Sequence, residues 1–179
     1  MSAAGVTAAF CYIGAAWLVL KTEGELQQRA ASWGRVTGWL TAAGILLVSL
    51  VNVIIDPAIF DRWWGFPETL LLLPVPLATM ALIVYTDRYF AQVPHQNDEG
   101  AWKPLVSVGL VFILAFLGIA YSYFPYVVPN QLTVWEAAAS TEPLIFILVG
   151  VAIVLPAILG YTIFSYYVFR GKATELHYY

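Results

Sequence analysis

Charge is the scarcest property of this 179-residue chain. Only 11% of its side chains are Asp, Glu, Lys or Arg, and the run Leu144 to Phe169 contains none. Histidine is nearly missing, with only His95 and His177, and cysteine is reduced to Cys11. A lone thiol excludes an internal disulfide and argues against a Cys-based metal cluster; inside an apolar run it reads as a small buried core residue. A net charge of −3 spread over several loops leaves no basic footprint for nucleic acid. Glycine-rich phosphate loops, metal-spaced histidine pairs and nucleophile motifs are lacking as well. What the chain does have is apolar surface: 61% hydrophobic residues and a mean hydropathy of +0.78, far beyond a soluble domain of this length.

That surface is organised in long runs. A helix over Leu144–Phe169 would rise about 39 Å, more than the ~30 Å hydrocarbon layer requires. Its aromatic end, just before Arg170 and Lys172, suits anchorage at a headgroup layer, and Pro156 predicts a kink. The pattern predicts an all-α, polytopic membrane helix bundle in a single membrane domain, 1–179. Its five transmembrane helices run over about 3–20, 36–55, 70–86, 104–127 and 144–169. The first is a retained span, because a secretory signal would carry its cation before the apolar core and not, like Lys21, after it.

The segments between the runs carry their own signals. Thr22–Gly34 is polar and helix-forming, with Thr22 and Glu25 at capping-box spacing and Glu25 and Arg29 four apart. It reads as a short solvated cytoplasmic connection, with docking against a partner as the other reading. Gly34 and Gly38, and again Gly118 and Ser122, are spaced for close helix contact, and Asn52 is placed to bond across to another helix. Asp56-Pro57 ends the second run, Asp87-Arg88 closes the third, and Trp63 and Trp64 suit an interfacial belt. Pro74 and Pro76 predict a packing bend, or alternatively a broken helix lining a site as in transporters.

With the start outside, Lys21, Arg29, Arg35, Arg88, Lys103, Arg170 and Lys172 fall inside and only Arg62 outside. This positive-inside asymmetry supports five spans, the N-terminus outside and the C-terminus cytoplasmic. Chemistry is harder to place. His95 and His177 fall in a loop and the tail, and Met80 reads as packing, so no haem ligand is expected from this chain alone. Every charge lies at a span end or in a loop, which argues against an autonomous ion pump. No catalytic, cofactor-binding or metal-ligating residue is predicted.

Three stretches carry a resemblance: Gly14 to Ala30 (GAAWLVLKTEGELQQRA), Phe124 to Ala139 (FPYVVPNQLTVWEAAA) and Leu155 to Lys172 (LPAILGYTIFSYYVFRGK). In order and position they are similar to subunit II of the bacterial cytochrome bd ubiquinol oxidases, specifically its carboxy-terminal half. The resemblance implies a truncated, fragmentary or split chain, in keeping with Met1 lying almost inside the first span. It further implies a multi-pass subunit in the bacterial inner membrane, within a complex that oxidises quinol and reduces oxygen to water. Its partner would be the haem-bearing subunit I, which holds haems b and d, with membrane lipid and, in some members, a quinone as further contacts. Residues of the proton path would belong to the other half, so none is carried over. Trp135-Glu136 departs from the family's frequent Trp-Asp, which puts local geometry in question there. Two other functions compete with this one: a fragment of a secondary transporter, motivated by Pro74 and Pro76, and a stand-alone membrane scaffold.

Overall fold

The computed structural model describes residues 2–55, 59–60, 63, 65, 72–94, 100–128, 131–169 and 171–172. The elements, in chain order, are α1 (Ser2–Lys21), α2 (Gly24–Ile55), α3 (Pro74–Ala91), α4 (Trp102–Tyr123), β1 (Tyr126–Val128), β2 (Leu132–Thr133), α5 (Val134–Ala137) and α6 (Thr141–Val168). They form two compact units, Tyr123–Gly171 and the remainder of the chain. Among the described residues, α1, α2, α4 and α6 are long and apolar enough to cross a membrane. The chain is therefore a multi-pass, helical membrane protein.

In the first unit α1 and α2 form an antiparallel hairpin whose turn is set by local chemistry. The Thr22 N–H and hydroxyl both donate to the Leu18 carbonyl, at 2.9 and 2.7 Å, covering one of the acceptors that a helix end leaves open. Thr22 thus finishes α1 and does not act as the cap of a separate connection helix. Gly24 then adopts φ +64°, a left-handed conformation that side chains other than glycine rarely tolerate, and the chain reverses. From Gly24 nothing interrupts the helix until Ile55. The predicted solvated connection is instead the first turns of a 32-residue helix, and Gln27, Ala30, Ala31 and Gly34 within it are buried. The expected Glu25–Arg29 pair does form on the exposed side.

Residues 70–71 of the third predicted span lie outside the described residues, and the described helix extends beyond its predicted end at Thr86. Pro74 occupies the first turn of α3, where amide hydrogens lack intrahelical partners anyway, so Pro74 and Pro76 break nothing there. At the other end the helix runs through Asp87 and Arg88 to Ala91, because Tyr89 and Phe90 are buried and hold its last turn in place. The fourth helix stops at Tyr123 and not at Val127: Pro125 disfavours helix in the residue before it, and the aromatic run turns into a short β-ribbon.

Two apolar clusters hold the first unit together. One joins Tyr12, Ala16 and Val19 of α1, Ala30 and Ala31 of α2, Tyr89 and Phe90 of α3 and Val108 of α4. The other joins Ala42, Ile83 and Val111. In the second unit the ribbon pairs Tyr126 with Thr133 and Val128 with Leu132, and α6 runs unbroken through Pro156 with no buried residue. Asp56, Arg62, Trp64, Glu68, His95, Arg170 and His177 lie outside the described residues.

Candidate functional site

Hydrocarbon gives apolar helices no reason to prefer one another over lipid, so helix contacts in a membrane depend on close fit and on polar links. Both are concentrated around Tyr12 and Phe90. A Cβ on Gly38 would come within 2.9 Å of the Tyr12 ring, and one on Gly34 within 2.5 Å of the Phe90 ring. The two rings meet edge to face, with centroids 6.3 Å apart. Nearly two turns beyond Gly38 the backbones themselves approach: a Cβ on Gly44 would stand 3.1 Å from the Gly5 Cα. The Gly34/Gly38 spacing therefore does what the sequence suggested, while the Gly5–Gly44 crossing has no spacing signal of its own. Its two members lie in different helices.

Polar links close the same node. Buried Gln27 donates from Nε2 to the Val19 carbonyl at 3.1 Å, satisfying a second acceptor at the end of α1. Arg35 donates from Nε to Asp87 Oδ1 at 3.0 Å, tying α2 to α3. Lys21 stands 5.3 Å from the Trp17 ring centroid, and Lys172 Nζ lies 3.7 Å from Glu23 Oε1. The charged residues of α1, α2 and α3 thus gather at the end where α1 stops, α2 starts and α3 stops. Toward the other end of α4, Trp63 donates from Nε1 to Ser122 Oγ at 2.9 Å and packs against Gly118, the small-residue face expected there.

These side chains do not fit a haem. Cys11 is exposed and not the core residue expected from its apolar surroundings, because in lipid the outward face of a helix is as apolar as the inward one. Met80 also faces outward on α3. Tyr12 is buried, but its ring rests against Gly38 and Phe90, which leaves a porphyrin face no room. Among the described residues no group of three His, Cys, Asp or Glu side chains converges. On α6 an open hollow of about 410 Å³ is lined by Ile147, Gly150, Val151, Val154, Leu155 and Ile158. A quinone headgroup would find no donor among those six side chains, and recognition of such a ligand needs at least a few placed polar groups.

In the second unit the polar chemistry sits on α5. Thr133 and Glu136 form a reciprocal capping box: Glu136 N–H donates to Thr133 Oγ1 at 3.3 Å, while the Thr133 N–H and hydroxyl donate to Glu136 Oε2 at 2.9 and 2.8 Å. The backbone N–H, and after it the hydroxyl, hold the Glu136 carboxyl below the usual carboxylate range. The sequence carried this signal as Thr-x-x-Glu over 133–136, which the sequence reading missed. The glutamate side chain is long enough to reach back to the Thr133 N–H and close the box.

The family model for cytochrome bd terminal oxidase subunit II matches residues 1–169. No curated protein matches the chain.

Proposed function

Because the chain belongs to the cytochrome bd terminal oxidase subunit II family, we propose that it is the non-haem subunit that packs against a haem-bearing subunit I. It is a subunit of a bd-type oxidase; we assign it to the bacterial inner membrane, in the complex that oxidises quinol and reduces oxygen to water. The three stretches around Gly14–Ala30, Phe124–Ala139 and Leu155–Lys172 support its correspondence to the carboxy-terminal half of that subunit. The observation that carries the division of labour is the chemistry of the core: Tyr12 is packed ring to backbone, and Cys11 and Met80 face away from it. Haems b and d then reside in the partner, where they supply the electron transfer. This chain supplies a packed scaffold and surfaces for lipid and subunit I.

Five crossings complete the reading, with α3 as the short one. Its 18 residues rise about 27 Å, close to the ~30 Å hydrocarbon layer. The gathering of cations at one end of α1, α2 and α3 supports that end as cytoplasmic, with the N-terminus outside. The transporter alternative loses its motive, since Pro74 and Pro76 lie in a first turn and break no helix there.

The test is co-expression with a haem-bearing subunit I, followed by affinity purification through this chain. The expected result is recovery of the haem spectrum and quinol-dependent oxygen uptake. Purification of the chain without haem protein, or solute transport by the chain alone, would refute the assignment.

A further inference from the structure

The ribbon between α4 and α6 is apolar on both faces and is held by few contacts: the Thr133/Glu136 box, the edge-to-face meeting of the Phe124 and Trp135 rings with centroids 5.8 Å apart, and a short backbone ladder. Side chains alternate along a strand, so Val127 points opposite to Tyr126 and Val128, yet all three are exposed, as are Val134 and Trp135 beyond them. Its backbone support is small. Two pairs form the ladder, Gln131 N–H donates to the Val128 carbonyl at 3.1 Å, and Val134 N–H donates to the Pro125 carbonyl at 2.8 Å. A lone two-stranded hairpin of this size is at best marginally stable in water.

Neither solvent suits this element. Water disfavours a cluster of exposed Val and Trp side chains, at about 25 cal/mol per Å² of apolar surface. Hydrocarbon disfavours the outer edges of the ribbon, whose unpaired N–H and C=O groups would each cost several kcal/mol there. The headgroup layer would wet the edges and accept Trp135 and Tyr126, but it leaves Val127, Val128 and Val134 against water; a protein surface covers those side chains and pairs the edges. Charge narrows the choice further. From Pro104 to Phe169 the sequence holds Glu136 and Glu142 and no Lys, Arg or His. Both carboxylates are exposed, and Glu136 stays ionised through its bonds from Thr133.

We propose that the ribbon and α5, through Val127, Val134, Trp135 and Glu136 with Glu142 beside them, form a docking surface for an apolar, Lys/Arg-bearing loop of the partner subunit. The patch is smaller than a stable interface requires, so it is one contact within a larger subunit surface. The inference rests on the two-subunit reading and adds to it where the partner binds and by what chemistry.

The experiment uses the intact complex purified from membranes, with a benzophenone side chain introduced at exposed Val127. The expected result is a crosslink to the haem-bearing subunit at a segment containing Lys or Arg. In parallel, Trp135→Ala lowers the recovered complex about tenfold or more, as truncation of an aromatic anchor does, while the membrane level of this chain is unchanged. Labelling confined to lipid or to this chain, in a complex that keeps its haem spectrum, overturns the docking surface and leaves the subunit assignment standing. Absence of any haem protein from the wild-type purification overturns both.

Discussion

Replacing Gly34 by alanine tests the packing node directly. The added methyl carbon would lie 2.5 Å from Cε2 and 2.9 Å from Cδ2 of Phe90, whereas carbon atoms sit comfortably at about 3.5–4.0 Å. The ring must therefore retreat by about 1 Å. It has little space to do so: Phe90 is 3% exposed and stands edge-on to Tyr12, whose own ring already presses on Gly38. Overpacking of this kind costs about 1–3 kcal/mol. Alanine simultaneously gains about 1 kcal/mol of helix propensity over glycine, so the raw effect of Gly34→Ala understates the clash.

Gly14→Ala in α1 removes that ambiguity, because Gly14 is helical and exposed and a Cβ there meets nothing within 4 Å. The propensity gain is common to the two variants, and their difference isolates the contact at about 1–3 kcal/mol. The assay is denaturant titration in mixed micelles followed by tryptophan fluorescence. Phe90→Leu, which trims the ring, should recover part of the loss in the double variant. Gly34→Ala with Gly38→Ala should fall short of additivity, since both push on one ring pair. If Gly34→Ala is as stable as Gly14→Ala, α2 and α3 do not meet at this glycine and the node is wrong.

Two further perturbations address the polar groups. Asp87→Asn removes the charge facing Arg35, and because half of the Arg35 side chain is exposed the expected loss is under about 1 kcal/mol and disappears in high salt; a salt-independent loss would count against an ion pair. Thr133→Ala deletes the cap of α5, an expected cost of about 1 kcal/mol in that short helix, read from faster amide exchange at Glu136. The same box has a defined pH response. Glu136 titrates lower in the folded chain than when unfolded, so its contribution is complete above the ordinary carboxylate pKa and is lost as pH falls through the depressed folded value. Protection of the Thr133 and Glu136 amides, taken relative to their intrinsic exchange rate at each pH, should fall across that acidic window, and Glu136→Gln should abolish the response.

How much of this was written in the sequence depends on which force wrote it. Apolar runs locate helices that need a bilayer, and α1 and α6 fall close to the predicted bounds because Lys21 and the Arg170–Lys172 end interrupt hydropathy where the helices stop. Runs fail where backbone chemistry decides instead. The aromatic stretch Tyr121–Tyr126 remains apolar past the end of α4, and Pro125 was the available sign that helix could not continue. The polar segment after Thr22 was read as a separate connection, although between Gly24 and Ile55 the sequence contains no proline to end a helix.

Facing is harder to read than span position, for a reason that belongs to the membrane. In water a buried face is apolar and an exposed face polar, so periodicity reports contact; in lipid both faces are apolar and that contrast vanishes. Cys11 and Tyr12 are adjacent members of one run, one exposed and the other buried. What separates them is the glycine opposite Tyr12, since only a position without a side chain admits a ring against the backbone of α2. The informative residues for packing are therefore the smallest ones. Gly34 and Gly38 could be recognised because they share a helix and a spacing, whereas Gly5 and Gly44 face each other across two helices and become a pair only once the Gly24 turn brings α1 and α2 side by side.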